Sequence, residues 1–178
     1  MKKTGVNLLL CGLVLMISIS ACKKEEEPRQ NELNYDGKTF GLSTGDLDFY
    51  GDYYASGFFN FDVLLYSNTS DFPDEDNYIY FELFSSSATG LVSGTYTFNE
   101  TSYAANTFSY ADFYFEKGSF SAYGEVTSGT VKVAKSGASY EFTINCDTDT
   151  GKKITGYYKG SLVYSDLSAL KSMKSRKN

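Results

Sequence analysis

Tyr78, Tyr80 and Glu82 alternate along one stretch of the chain, and Tyr110, Asp112 and Tyr114 along another. Side chains two apart share a face of an extended strand, so each trio presents phenol rings and a carboxylate together. On neighbouring strands the six would converge on one surface. Sugars offer C–H faces to aromatic rings and hydroxyls to carboxylates, so the chemistry this pattern suits is glycan binding. The competing role for such rings is core or cross-strand packing. Glu82 and Asp112 are also a candidate carboxylate pair for glycoside hydrolysis, which requires a separation of about 5 to 9 Å.

Other chemistry is narrowly bounded. The chain of 178 residues contains no histidine, which excludes Ser-His-Asp and Cys-His nucleophile systems and any histidine proton shuttle. Binding therefore ranks above catalysis, and no catalytic residue is assigned. Asp71, Asp74 and Asp76 lie in the acidic run Asp71-Phe72-Pro73-Asp74-Glu75-Asp76 and have the oxygen ligands that calcium takes; the alternative is a solvated loop tip. Asp147-Thr148-Asp149-Thr150-Gly151 opens like a calcium loop but lacks the distant bidentate Glu, and is read as a hairpin turn. Apart from such calcium, no cofactor is expected other than a covalent lipid. Cys146 closes the alternating run Tyr140, Phe142, Ile144, which predicts a buried free thiol acting as a small hydrophobe.

Charge is unevenly spread. Lys and Arg number 16 against 22 Asp and Glu, a net charge of −6. Between Thr39 and Glu116 there are 12 acidic residues and no Lys or Arg. Nucleic acid is not an expected partner, because phosphate neutralisation needs the opposite sign. Surface hydration is the plain alternative to a binding role for this acidity.

Met1-Lys2-Lys3, the mostly apolar run from Val6 to Ile19 and the small residues Ser20 and Ala21 have the make-up of a signal peptide over residues 1–21. The run is shorter than the roughly 20 apolar residues a spanning helix needs. Ile19-Ser20-Ala21-Cys22 resembles the lipobox of bacterial lipoproteins. That resemblance implies cleavage before Cys22, a diacylglycerol thioether on its sulfur and acylation of the new amino terminus. Each buried methylene contributes about 0.8 kcal/mol, so two or more acyl chains anchor a protein firmly. The alternative is an incidental cysteine beside an ordinary cleavage site. Lys23-Lys24-Glu25-Glu26-Glu27-Pro28 is similar to the export signal of Bacteroidetes-type surface lipoproteins. It implies an outer-membrane protein facing the cell exterior, whereas a plain charge run would be a hydrated spacer. Residues 22–33 are read as the lipidated cysteine and a flexible charged tether.

The elements that must position the candidate site are strands. All of the 16 Tyr and 14 Phe fall between Tyr35 and Tyr164, and there is no Trp. Period-2 alternation puts Phe59, Phe61, Val63 and Leu65 on one face, and likewise Ile79, Phe81 and Leu83, and Ala111, Phe113 and Phe115. Phe108 is placed on the opposite face with Tyr110 and Asp112. Shorter runs are Thr39 to Leu42, Asp46 to Tyr54, Thr95 to Phe98, Ser119 to Val126, Thr130 to Ala134, Tyr140 to Cys146 and Lys153 to Tyr164, with turns such as Thr127-Ser128-Gly129 between them. About ten short strands with no helical spacer predict an all-β domain over residues 34–165: an antiparallel two-sheet β-sandwich, with a lipocalin-like up-and-down barrel as the alternative. Ser165 or Asp166 is an N-cap candidate for a short C-terminal helix, followed by a basic tail, within residues 166–178.

Gly94-Thr95-Tyr96-Thr97-Phe98 and the stretch from Gly129 to Tyr164 resemble the strands of small β-sandwich surface lipoproteins of Bacteroidetes, whose domain has no known function. The resemblance implies the fold and transfers no catalytic residue. The expectation is a membrane-anchored surface protein that binds or adheres, to glycan or to a surface protein. The alternatives are a carrier of a small apolar ligand and an accessory glycoside hydrolase. Mass spectrometry of the mature amino terminus should find Cys22 carrying a diacylglyceryl group; an unmodified Cys22 refutes the anchor.

Overall fold

The structure, a computed structural model, describes residues 29–53, 56–67 and 77–169. The signal peptide, Cys22 and the charged run to Pro28 lie outside the described residues, as do Asp71, Asp74, Asp76 and the tail from residue 170. The chain is all-β. Its strands are β1 (Glu32–Tyr35), β2 (Lys38–Gly41), β3 (Thr44–Asp52), β4 (Phe59–Tyr66), β5 (Tyr78–Ser85), β6 (Gly94–Phe98), β7 (Thr107–Lys117), β8 (Phe120–Ser136), β9 (Ser139–Thr148), β10 (Lys153–Ser161) and β11 (Val163–Asp166). Alternating burial matches the alternating sequence: Phe61, Val63 and Leu65 of β4, and Ile79, Phe81 and Leu83 of β5, are fully buried, while Asp62, Leu64, Tyr66, Tyr78, Tyr80 and Glu82 between them are half-buried. Asp36 and Gly37, both at positive φ (47° and 73°), make the two-residue link of the β1–β2 hairpin.

All eleven strands form one hydrogen-bonded ladder in the order β11-β3-β4-β5-β7-β6-β8-β9-β10-β1-β2, with β7 also pairing with β8. The ladder is open, its outer strands being β11 and β2. Leu162 alone joins β10, near one end, to β11 at the other. The two ends must therefore lie side by side, and β10 touches β3. The sheet curls round its apolar face. Across the interior, Tyr35 of β1 lies 5.0 Å from Phe113 of β7, and Phe40 of β2 stacks on Phe115 at 4.5 Å. Cys146 sits in this core, its thiol pushed up to about 12 by burial.

The structure corrects several expectations. Among the described residues hydrogen bonding runs through one sheet of eleven strands rather than two separate sheets. Two pairings are parallel, β11 with β3 and β6 with β7. The first strand begins at Glu32, inside the segment read as tether. The turn expected at Thr127-Ser128-Gly129 is instead an irregularity within the single long β8, which pairs with β7 through its first part and with β6 and β9 through its second. Gly129, at φ 128°, makes this possible: a Cβ there would meet the Asn145 carbonyl and stand 2.5 Å from Cys146 Cα. Phe108 is fully buried rather than facing out, because a register shift between Glu82 and Leu83 leaves Ser109 as the extra residue and reverses the alternation before it. The long run from Lys153 to Tyr164 divides at Leu162. At the C-terminal end, Ser168 donates to Asp166 Oδ1 from both its backbone N (3.0 Å) and its hydroxyl (2.6 Å), the geometry of an N-cap.

Phe115 meets Phe40 and Tyr35 only because the sheet doubles back. Phe115→Ala should lose about 3–5 kcal/mol, read as a lowered midpoint in guanidinium unfolding.

Candidate functional site

β5 lies between β4 and β7, which brings the six predicted residues onto one face. Tyr78 stands opposite Tyr114, Tyr80 opposite Asp112 and Glu82 opposite Tyr110. The register extends the face on both sides. Tyr66, Leu64 and Asp62 of β4 stand opposite Tyr78, Tyr80 and Glu82, and Asp46 and Asp48 of β3 stand opposite Leu64 and Asp62. Beyond β7, Tyr123 of β8 faces Tyr114 and Glu125 faces Asp112. One row is thus four tyrosines: Tyr66, Tyr78, Tyr114 and Tyr123. Tyr78 and Tyr114 are near parallel at 6.4 Å and 28°, and Tyr80 and Tyr110 are 6.0 Å apart.

No cation lies among these residues, and the carboxylates take their hydrogen bonds mainly from hydroxyls, Asp62 also accepting from Asn60 Nδ2 at 3.1 Å. The single O–H of Tyr110 is shared between Asp112 Oδ2 at 3.2 Å and Glu125 Oε1 at 3.4 Å. Tyr114 Oη donates to Glu116 Oε2 at 2.6 Å, and Ser109 Oγ to Glu82 Oε2 at 2.8 Å. Tyr80 bonds to Asp62 and Tyr66 to Asp46. Burial, and then the adjacent carboxylates, push the Tyr80 and Tyr110 phenols far above their ordinary value. They remain neutral donors throughout the physiological range. Burial also raises the Asp112 carboxyl, with Glu125 adding to the effect and the Tyr110 hydrogen bond opposing it. Asp46 is raised by burial and by Asp48.

The six predicted residues are half-buried. The most open ring is Tyr123, 59% exposed, which the sequence reading left out. Its signal was legible: it stands two residues before Glu125 in an expected strand, as Tyr80 stands before Glu82. At one margin Phe84 points outward yet is fully buried, because Tyr53 and Tyr103 close over it at 5.1 and 5.3 Å.

Glu82 and Asp112 are diagonal neighbours on adjacent strands. They stand on an open sheet face. A recess of about 190 Å³ beside it is lined by Glu100, Ser109, Tyr110 and Glu125 among others, but by neither Glu82 nor Asp112. Elsewhere, Asp147 pairs with Lys153 at 2.7 Å and accepts from Ser128, while Asp149 accepts the backbone N–H of Glu125, so the turn after β9 uses its carboxylates structurally. Among the described residues no group of three or more His, Cys, Asp or Glu side chains is arranged to hold a metal ion. No protein-family model matches the chain, and comparison with curated proteins and with solved structures finds no match.

A carboxyl raised on folding stabilises the fold while protonated and loses that contribution as pH climbs through its folded value. Asp112→Asn keeps an acceptor for Tyr110 and removes the charge. The variant should therefore melt higher than the wild type at pH 7, and the difference should vanish as pH falls below the range where Asp112 protonates. A lower melting temperature at pH 7 refutes this account of the face.

Proposed function

We propose that the chain is a lipid-anchored lipoprotein of the bacterial outer membrane, facing the cell exterior, that binds or adheres rather than catalyses, with glycans as its ligand class. The single observation that carries the ligand class is the row Tyr66, Tyr78, Tyr114 and Tyr123 lying beside hydroxyl-bonded carboxylates on one sheet face. Tyr66 and Tyr114 are held by their own hydroxyls, on Asp46 and Glu116, before any ligand arrives, so little of their side-chain freedom is lost on binding. Carboxylate lone pairs that the tyrosines leave free are acceptors for sugar hydroxyls. The anchor and the outward orientation rest on Ile19-Ser20-Ala21-Cys22 and on the charged run after it.

The body is best read as sandwich-like, one ladder folded into two layers. The layer of β3, β4, β5 and β7 is acidic outside, and β1 and β2 lie across the interior from β7. A carrier would need a hollow interior; Phe61, Phe81, Phe113, Phe115 and Phe142 occupy that space instead. A surface protein is the other ligand class such a face suits.

A glycan array probed with the full mature chain tests the reading. At least one glycan should bind, and Tyr114→Ala, Tyr123→Ala and Tyr80→Ala should each weaken it by about tenfold in variants whose melting temperature shows them folded. Binding to no glycan, or binding indifferent to all three substitutions, refutes it.

A further inference from the structure

Where the second part of β8 runs beside β9 and β10, cations outnumber carboxylates around Arg29. Lys132, Thr143 and Tyr157 stand in one register row across these strands, and Ala134, Glu141 and Lys159 in the next. With strands about 4.8 Å apart, this floor is roughly 10 Å wide. The chain ahead of β1 builds its wall. The Asn31 side-chain amide clamps the backbone of Lys159 in both directions: Nδ2 donates to the Lys159 carbonyl at 3.1 Å, and the Lys159 N–H donates to Oδ1 at 2.8 Å. Two residues earlier, the Arg29 guanidinium lies 5.4 Å from the Tyr157 ring centre and 3.5 Å from Thr143 Oγ1. Arg29 and the two register rows line a groove of about 440 Å³, a size common to small-molecule sites.

Three cations here face one carboxylate, in a chain whose net charge is −6. Glu141 is met by Lys159 at 3.5 Å in an exposed pair, while Lys132 has no hydrogen-bond or ion-pair partner among the described residues. The local field favours an anion, and a guanidinium fork matches the paired oxygens of a carboxylate or sulfate. A bare anionic lipid surface would set its charges against Glu141. A sugar bearing one acidic group uses every element of the groove, because its hydroxyls can donate to Glu141 and bond with Thr143.

We propose that this groove is a binding site for an acidic saccharide, whose carboxylate or sulfate is held by Arg29, Lys132 and Lys159 and whose hydroxyls meet Glu141 and Thr143. The site shares no residue with the tyrosine face and does not depend on that face binding anything.

The test is calorimetric titration of the full mature chain in non-ionic detergent at low ionic strength. The probes are a galacturonic acid trimer, a sulfated chondroitin tetrasaccharide, their methyl-esterified and desulfated counterparts, and glycerol phosphate as the headgroup chemistry of an anionic lipid. At least one acidic saccharide should bind, its neutral counterpart about tenfold more weakly or worse. Lys132→Gln should cost about fivefold or more, while Tyr80→Ala and Tyr123→Ala leave affinity unchanged. Lys132 is exposed and unpartnered, so its replacement does not threaten the fold. Binding of neither acidic saccharide, equal binding of the neutral forms, indifference to Lys132→Gln, or equally tight binding of glycerol phosphate would each overturn the proposal.

Discussion

A sheet with one apolar face must bury that face, and among the described residues no helical layer exists to cover it, so the sheet covers itself. This constraint organises the molecule. The curl is made in two places. β8 is long enough to leave β7 and join β6 and β9, turning where Val126, Ser128 and Gly129 break the register. Leu162 then passes the chain from β10 to β11, delivering one end of the ladder to the other. The enclosed space is filled with rings. Phe61, Phe81, Phe108, Phe113, Phe115 and Phe142 are all fully buried, and each buried aromatic removes far more apolar area from water than a small aliphatic would. The one described cysteine, Cys146, is a free buried thiol, so packing alone holds this core together.

Because the inner face takes the apolar residues, the outer face takes what is left, and its two regions differ in kind. On the outer face of β3, β4, β5 and β7 there are carboxylates and phenols, and Lys117, the cation of these strands, stands at the end of β7 and donates to the Thr39 carbonyl. Phenols solve the crowding of charge there: each hydroxyl satisfies a carboxylate that lysine would otherwise pair, and protonation is favoured at Asp46 and Asp112. On β8, β9 and β10 the cations return: Lys153 pairs with Asp147 and Lys159 with Glu141 in exposed ion pairs, while Lys132 stands apart from both. The few ion pairs, such as Lys152 with Asp36 at 2.8 Å, are largely exposed and contribute little to stability.

Much of this was legible in the chain. Alternation located β4, β5 and β9 and named their buried residues, since Phe61, Val63 and Leu65, or Phe142, Ile144 and Cys146, lie two apart and report on one face. The tyrosine and carboxylate trios could be placed on common faces for the same reason. Alternation misled wherever an extra residue entered a strand. Ser109 turned Phe108 inward, and the extra residue Thr127 between Val126 and Ser128 looked like the end of a strand. Glycine at 129 carries the same sequence signal in a turn as in a bulge, and only the closeness of Asn145 and Cys146 distinguishes the two. Arg29 and Asn31 fell in a polar stretch with no period, and their role depends on contacts with Thr143 and Lys159 more than a hundred residues away.

By itself the sequence determined the all-β class, the apolar side of most strands, the absence of histidine chemistry and the acidic bias from Thr39 to Glu116. Each of these is a property of single residues or of residues two apart. Tertiary structure alone decided which strands are neighbours, that they form one curled ladder, that Tyr123 completes the tyrosine row and that Arg29 closes a groove over Tyr157. The physical reason is that the ladder is held by backbone N–H and C=O groups, which are alike at nearly every residue. Strand partners are therefore selected by how the rings of distant strands pack once the sheet has closed on itself.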